Sequence, residues 1–111
     1  MASSGNVRAA YDKFIAPDFV HHHQYFKGDR QALLIAMEEA SKTHPNKSID
    51  IEHLYEDGNV VIAHSLVTPQ DPKARGIAVV HILRFESGRV VELWDLSQEI
   101  MKDSPNENGM F

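Results

Sequence analysis

Residues 78–98, AVVHILRFESGRVVELWDLSQ, constrain the fold of this chain more than any other stretch. Two apolar strands flank the turn Glu86-Ser87-Gly88, and each carries one ionisable residue, His81 and Asp95. The length of the hairpin loop decides which side chains share a face. A two-residue Ser-Gly loop pairs Glu86 with Arg89, sets His81 beside Trp94 and turns Asp95 to the other side. A three-residue loop uses a type I turn with Gly88 in the left-handed conformation and pairs Phe85 with Arg89. We favour the three-residue loop, because it sorts the faces chemically. Val79, His81, Leu83, Phe85, Val91, Leu93 and Asp95 then form a core or pocket wall, while Arg84, Glu92 and Trp94 lie on the other face, where Arg84 and Glu92 can be near neighbours.

The remaining pattern is that of an α+β domain. Ser3 or Ser4 can cap a first helix whose stripe is Val7, Ala10, Tyr11, Phe14 and Ile15, with Pro17 stopping it. Residues 18–24, DFVHHHQ, read as extended or irregular. Asp29 caps a second helix with the stripe Leu33, Leu34, Met37 and Ala40, and Pro45-Asn46 closes the connection. Ile49, Ile51, His53 and Tyr55 alternate with polar residues, Asp57-Gly58 turns, and residues 59–68 form the next strand. Residues 69–73, PQDPK, are a loop, and His44 falls in a surface turn. Two helices followed by about four antiparallel strands predict helices laid on one face of a curved sheet. At 111 residues the expectation is one domain, with a core over 1–98 and a tail over 99–111 whose final Met110-Phe111 docks on the pocket or on a dimer partner.

Composition narrows the chemistry. A formal net charge of −5 with scattered basic residues argues against a nucleic-acid surface. There is no cysteine, so disulfides, thiol nucleophiles and zinc-thiolate sites are excluded. No apolar run approaches the roughly 20 residues that cross a bilayer, and the first residues lack a signal-peptide apolar region. The expectation is a cytoplasmic protein without membrane contact. No nucleophile elbow, phosphate loop, dinucleotide fingerprint or HExxH motif occurs. A metal site would have to be built from His21, His22 or His23 with His64, His81 and Asp95. The reading preferred here is that one of the three consecutive histidines lines a cavity and that no metal is bound.

Taken alone, His81 on an apolar strand reads as a hydrogen-bonded core histidine. Asp95 adds a second reading, because a carboxylate among apolar residues must find a donor, water or a proton. On one face the two can form an acid/base pair, or Asp95 can simply lock His81 in place.

Together, DFVHHHQ after the first helix, EDGNVVIAHS in mid-chain and the 78–98 hairpin resemble the SnoaL-like branch of the nuclear transport factor 2-like superfamily. The resemblance runs from about Tyr11 to Gln98, and the closing NENGMF resembles the ending of a group of SnoaL-like proteins. It implies a cone-shaped α+β barrel, a strongly curved antiparallel or mixed sheet wrapped around N-terminal helices, with a pocket in its mouth. It also implies a cofactor-independent acid/base reaction on a small apolar carbonyl compound, of the aldol-cyclase or isomerase type. In that pattern Asp95 is the acid/base and His81 its neighbour, at the position where the similar ketosteroid isomerases place an oxyanion-stabilising acid.

Where related proteins show Tyr-Ile-Gln-His-Asn-Pro, this chain has residues 19–24, FVHHHQ. That places His22 at the pocket histidine, with His23 and Gln24 departing from the pattern. Tyr11, Phe19, His64, Leu83 and Leu93 are the expected pocket lining, Tyr11 also being the candidate for an isomerase-type oxyanion role. The first helix is short for the superfamily, which implies a more open pocket. The rival expectation is a non-catalytic ligand-binding or homodimeric scaffold module, its twofold interface built on Trp94, Val90 and Leu96.

Overall fold

The computed structural model describes residues 4–43, 47–70 and 76–111. Two helices, α1 (Ser4–Phe14) and α2 (Arg30–Thr43), accompany five strands: β1 (Ile15–His22), β2 (Ser48–Asp57), β3 (Val60–Thr68), β4 (Ile77–Glu86) and β5 (Arg89–Glu99). The strands form one mixed sheet in the order β1-β5-β4-β3-β2, and the sheet is not closed into a barrel. The expected α+β architecture is present, with one strand more than the sequence pattern indicated. That strand is β1, which follows α1 without a loop and pairs in parallel with β5 through His21 with Leu93 and His22 with Trp94. Pro45-Asn46, His44 and most of the 69–73 loop lie outside the described residues.

Local chemistry explains the element ends. Asp29 accepts from the Ala32 backbone N–H at 2.9 Å, the N-cap bond expected for α2. The end of α1 is tied down by a residue that periodicity does not reveal. Arg30 donates to the carbonyls of Tyr11, Ile15 and Ala16 at 3.1–3.3 Å and to Asp12 Oδ1 at 3.3 Å. A guanidinium at a helix C-terminus satisfies carbonyls that have no partner within the helix and complements its dipole. Its planar group also lies over the Tyr11 ring, 4.8 Å from the centroid.

The core is small and lies at the helix end of the sheet. Tyr11 and Leu34 are buried together, and Phe19, Leu33 and Val90 form a second cluster against which Ile15, Leu83, Phe85 and Leu93 pack. Met37, expected in the buried stripe of α2, is instead exposed. Both helices pack on β1, and neither lies over β2 or β3. The β2–β3 ribbon therefore forms a wing, and every residue of β2 is exposed. Asp50, Glu52, Glu56 and Asp57 put charge along this edge, which opposes pairing with another strand edge. The radius of gyration, 14.8 Å, exceeds the value of about 13 Å for a compact chain of this length, as the wing requires.

The hairpin of β4 and β5 corrects the expected turn and keeps its consequence. Glu86 pairs with Arg89, so the loop is the two residues Ser87 and Gly88, with φ of 52° and 78°. Positive φ at both positions is the geometry that matches strand twist in a two-residue hairpin. Phe85 pairs with Val90, but Arg84 pairs with Glu92, leaving Val91 as an extra residue in β5. This bulge restores the parity that a two-residue loop would have reversed. His81 faces Asp95 directly, and Val90 takes the inward position expected of Val91. Val90 is thereby removed from the proposed outer patch with Trp94 and Leu96.

Ser87 is the one non-glycine residue with positive φ among the described residues. Asn tolerates that region better than Ser. Ser87→Asn is expected to raise the unfolding free energy by about 0.5 kcal/mol, read from urea denaturation; a destabilised variant would contradict this turn.

Candidate active site

Strand alternation assigns the ionisable residues to two faces. Asp95, His81, Leu83, Leu93, Phe19 and His21 are on the inner face, the one that meets the helices. Glu92, Trp94, His22, Val80 and His64 are on the outer face. The inner-face group contains the acid/base candidates.

His81 Nε2 donates to Asp95 Oδ2 at 3.0 Å. His23 Nε2 stands 4.0 Å from the same oxygen. Both contacts involve Oδ2, so Oδ1 has no hydrogen-bond partner among the described residues. Asp95 is well buried, with 17% of its side chain exposed against 35% for His81. Burial pushes the Asp95 carboxyl up, but the hydrogen bond from His81 and the electrostatic pull of His81, His23 and His21 outweigh it. The net effect holds Asp95 below the ordinary aspartate value. The imidazoles thus keep the carboxylate ionised despite its burial.

His21 supports this arrangement. It is almost fully buried, and both ring nitrogens are engaged by backbone. The His23 N–H donates to Nδ1 at 3.2 Å, which leaves Nε2–H to donate to the Lys27 carbonyl at 2.7 Å. The ring therefore fastens the 22–28 loop to the end of β1. Sequence alternation alone could have found His21 and His23: in an extended strand Phe19, His21 and His23 share a face, whereas Phe19 and His22 cannot.

The ring of His22 accordingly turns to the outer face. Its Nε2 donates to Glu92 Oε2 at 2.7 Å, and its ring stacks on Trp94 with centroids 5.0 Å apart and planes at 9°. Arg84 donates to Glu92 Oε1 through Nε and Nη2 at 3.1 and 3.0 Å, the neighbour relation expected from the hairpin. The Glu92 carboxyl is held below its usual value, first by the hydrogen bond from His22 and further by Arg84. His64 also leaves the inner group. It stacks with His53 at 5.3 Å, and the ring of Phe111 sits 4.7 Å away, so the end of the tail meets the outer face of β3.

The apolar candidates divide in the same way. Phe19, Leu83 and Leu93 belong to the core beneath the His81–Asp95 pair. Tyr11 is buried and its hydroxyl donates to the Arg30 carbonyl at 2.8 Å. Burial pushes its pKa up to about 12, Arg30 opposing and Asp29 reinforcing the rise. It closes the α1–α2 junction and does not meet Asp95.

Beside Asp95 lies a cavity of about 160 Å³ lined by His22, His23, Gln24, Tyr25, Asp95, Leu96 and Ser97. A larger hollow of about 530 Å³ lies under the tail, between Gln98 and Phe111, and contains neither His81 nor Asp95. Among the described residues, no group of three or more His, Asp or Glu side chains is placed to hold a metal ion. None of the described helices is long and apolar enough to cross a membrane.

The His81–Asp95 pair ties stability to acid pH. A carboxyl whose folded pKa lies below its unfolded one stabilises the fold above the unfolded value and loses that contribution as pH falls through the folded one. The window therefore opens below about 3.8, the ordinary aspartate value. Urea midpoints measured from pH 6 to pH 2 are expected to fall less steeply for Asp95→Asn than for the wild-type chain; parallel curves would show that the pair does not hold the charge.

A family model described as the SnoaL-like domain matches residues 2–93. The matched region ends two residues before Asp95. No curated protein sequence matches the chain significantly. Among solved structures, a protein from Acidithiobacillus ferrooxidans, provisionally assigned as a polyketide cyclase, is similar with a TM-score of 0.69 and 20% identity over 86% of this chain and 78% of that one. AclR of Streptomyces galilaeus, provisionally assigned as a hydroxylase, gives 0.67 and 22% over 83% and 73%. An NTF2-like protein of unknown function from Cytophaga hutchinsonii gives 0.66 and 16% over 86% and 79%. At such identities the likeness is one of fold, and a shared fold does not fix the function.

Proposed function

This chain belongs to the SnoaL-like domain family, and we propose that it is a cofactor-independent acid/base enzyme that removes a proton next to the carbonyl of a small substrate. The observation that carries the reading is Asp95, a well-buried carboxylate with one oxygen fixed by His81 at 3.0 Å and the other without a partner among the described residues. Asp95 Oδ1 takes the α-proton, and the electron pair of the broken C–H bond moves onto the carbonyl oxygen as an enolate. His81 orients the carboxylate and stabilises its charge. An aldol closure or an isomerisation then differs only in which carbon the enolate attacks or reprotonates. The polyketide-cyclase assignment of a similar structure supports this class of reaction. The cytoplasm is the proposed location.

Proton removal can be read without knowing the product, because it exchanges the α-hydrogens of a ketone in D₂O. A panel of small aliphatic and aryl ketones, followed by proton NMR, is expected to reveal enzyme-dependent deuterium uptake. Asp95→Asn should lower that rate by about 10² to 10⁴-fold, and His81→Ala by less. Near wild-type exchange in a folded Asp95→Asn protein would sink the proposal.

A second reading, a homodimeric scaffold, is favoured by the outer face, where Val20 and Leu96 are exposed beside the His22–Trp94 stack. Its apolar patch suits a twofold contact. Sedimentation at micromolar concentration should then give twice the chain mass and revert toward the monomer in Leu96→Glu; a monomer at all concentrations would exclude it.

A further inference from the structure

We propose that His23, through its Nε2–H, is the donor that holds the substrate oxygen as it becomes an enolate. This inference rests on the reading of Asp95 as the base, and it gives His23 a task separate from that of His81. The first support is the tautomer. The Tyr25 backbone N–H approaches His23 Nδ1 at 3.4 Å, so Nδ1 accepts and the ring proton resides on Nε2. That proton faces the carboxylate, but Nε2 to Oδ2 is 4.0 Å, too long for a hydrogen bond. The donor is thus aimed at the site and not consumed by it.

The second support is the division of labour between the imidazoles. His81 Nε2 is already committed to Asp95 Oδ2, and His21 is committed at both nitrogens to backbone. Of the three inner-face histidines, only His23 keeps a ring N–H without an acceptor among the described residues. The third support is position: His23 and Asp95 both line the 160 Å³ cavity, whereas His81 does not. The His23 ring is seated against Phe26 and Tyr25, with centroids 4.6 and 5.5 Å away. An aromatic seat fixes the direction of the donor before charge develops, which is the condition for effective oxyanion stabilisation.

The chemistry balances with these two groups. Asp95 Oδ1 gains the proton, the C–H pair forms the enolate double bond, the carbonyl π pair moves to oxygen, and His23 Nε2–H donates to that oxygen. The cavity, about 160 Å³ and open on one side, fits a compact monocyclic or short-chain carbonyl group at the reacting end of the substrate.

The test uses 4-nitrophenolate, whose charged oxygen on an sp² carbon resembles an enolate and whose absorbance reports its ionisation. Asp95→Asn supplies an uncharged counterpart of the protonated carboxyl and removes its repulsion of the anion. That protein is expected to bind the phenolate. Adding His23→Phe should weaken binding at least 10-fold, His23→Gln should recover part of it by restoring a donor, and His53→Ala should change nothing. In ¹H–¹⁵N spectra of the Asp95→Asn protein, the His23 Nε2–H signal should move downfield when the phenolate is added, a readout needing no change at position 23. Equal binding by the His23→Phe protein, or an unmoved His23 signal with phenolate bound, overturns the proposal and leaves Asp95 as base. Absence of any phenolate binding by Asp95→Asn overturns both.

Discussion

One extra residue in β5 governs the chemistry of this molecule. The hairpin closes on a two-residue turn, which alone would set His81 against Trp94; Val91 adds the residue that moves Asp95 opposite His81. Side-chain parity in a strand has a period of two, so one inserted residue inverts every position beyond it. The turn itself puts Val90 in the core opposite Phe85, and the inversion puts Leu93 beneath the pair and Asp95 on the inner face. It also leaves Glu92 and Trp94 outside, where they meet Arg84 and His22. A hairpin with the same turn and no bulge would send the carboxylate to the outer face.

The parallel pairing of β1 with β5 extends that logic to the other half of the site. His21 sits beside Leu93, so His23, two residues on, reaches the level of Asp95. The connection works because α1 runs straight into β1 and Arg30 ties the carbonyls at their junction. An arginine at the start of α2 thereby fixes the level at which β1 enters the sheet. The helices, the first strand and the last strand form one packed unit, and the wing of β2 and β3 extends from it.

What could be read from sequence follows from the range of the interactions involved. The Asp29 cap and the Arg84–Glu92 neighbours depend on residues close in the chain, and the residues show them; the shared face of His81 with Asp95 is expected from a three-residue loop and is produced instead by a shorter turn with a bulge. The turn is not legible because Ser87 is an uncommon residue at positive φ, and because a bulge leaves no mark in an apolar run where Val90 and Val91 look alike. The parallel partner of β1 lies some 70 positions away and leaves no local pattern. Family resemblance places His22 at the pocket, and it does line the cavity beside Asp95, but strand alternation turns its ring to the face opposite Phe19, onto Glu92 and Trp94. His64 lies one residue from the inward position of Ala63, and only the register of β3 with β4 decides between them.

The electrostatic character of the site follows from the imidazoles around Asp95. A carboxyl in a closed apolar cone would have its pKa raised and would be a stronger base at the cost of being partly protonated. In this chain the sheet is not closed, and the inner face near Asp95 is furnished with imidazoles. Burial still pushes the carboxyl up, but His81, His23 and His21 pull it further down, so the proposed base is held in its ionised form. A base of lower proton affinity removes an α-proton only if the enolate is stabilised by comparable means. The proposed reaction therefore calls for a preorganised donor at the substrate oxygen, the part proposed for His23.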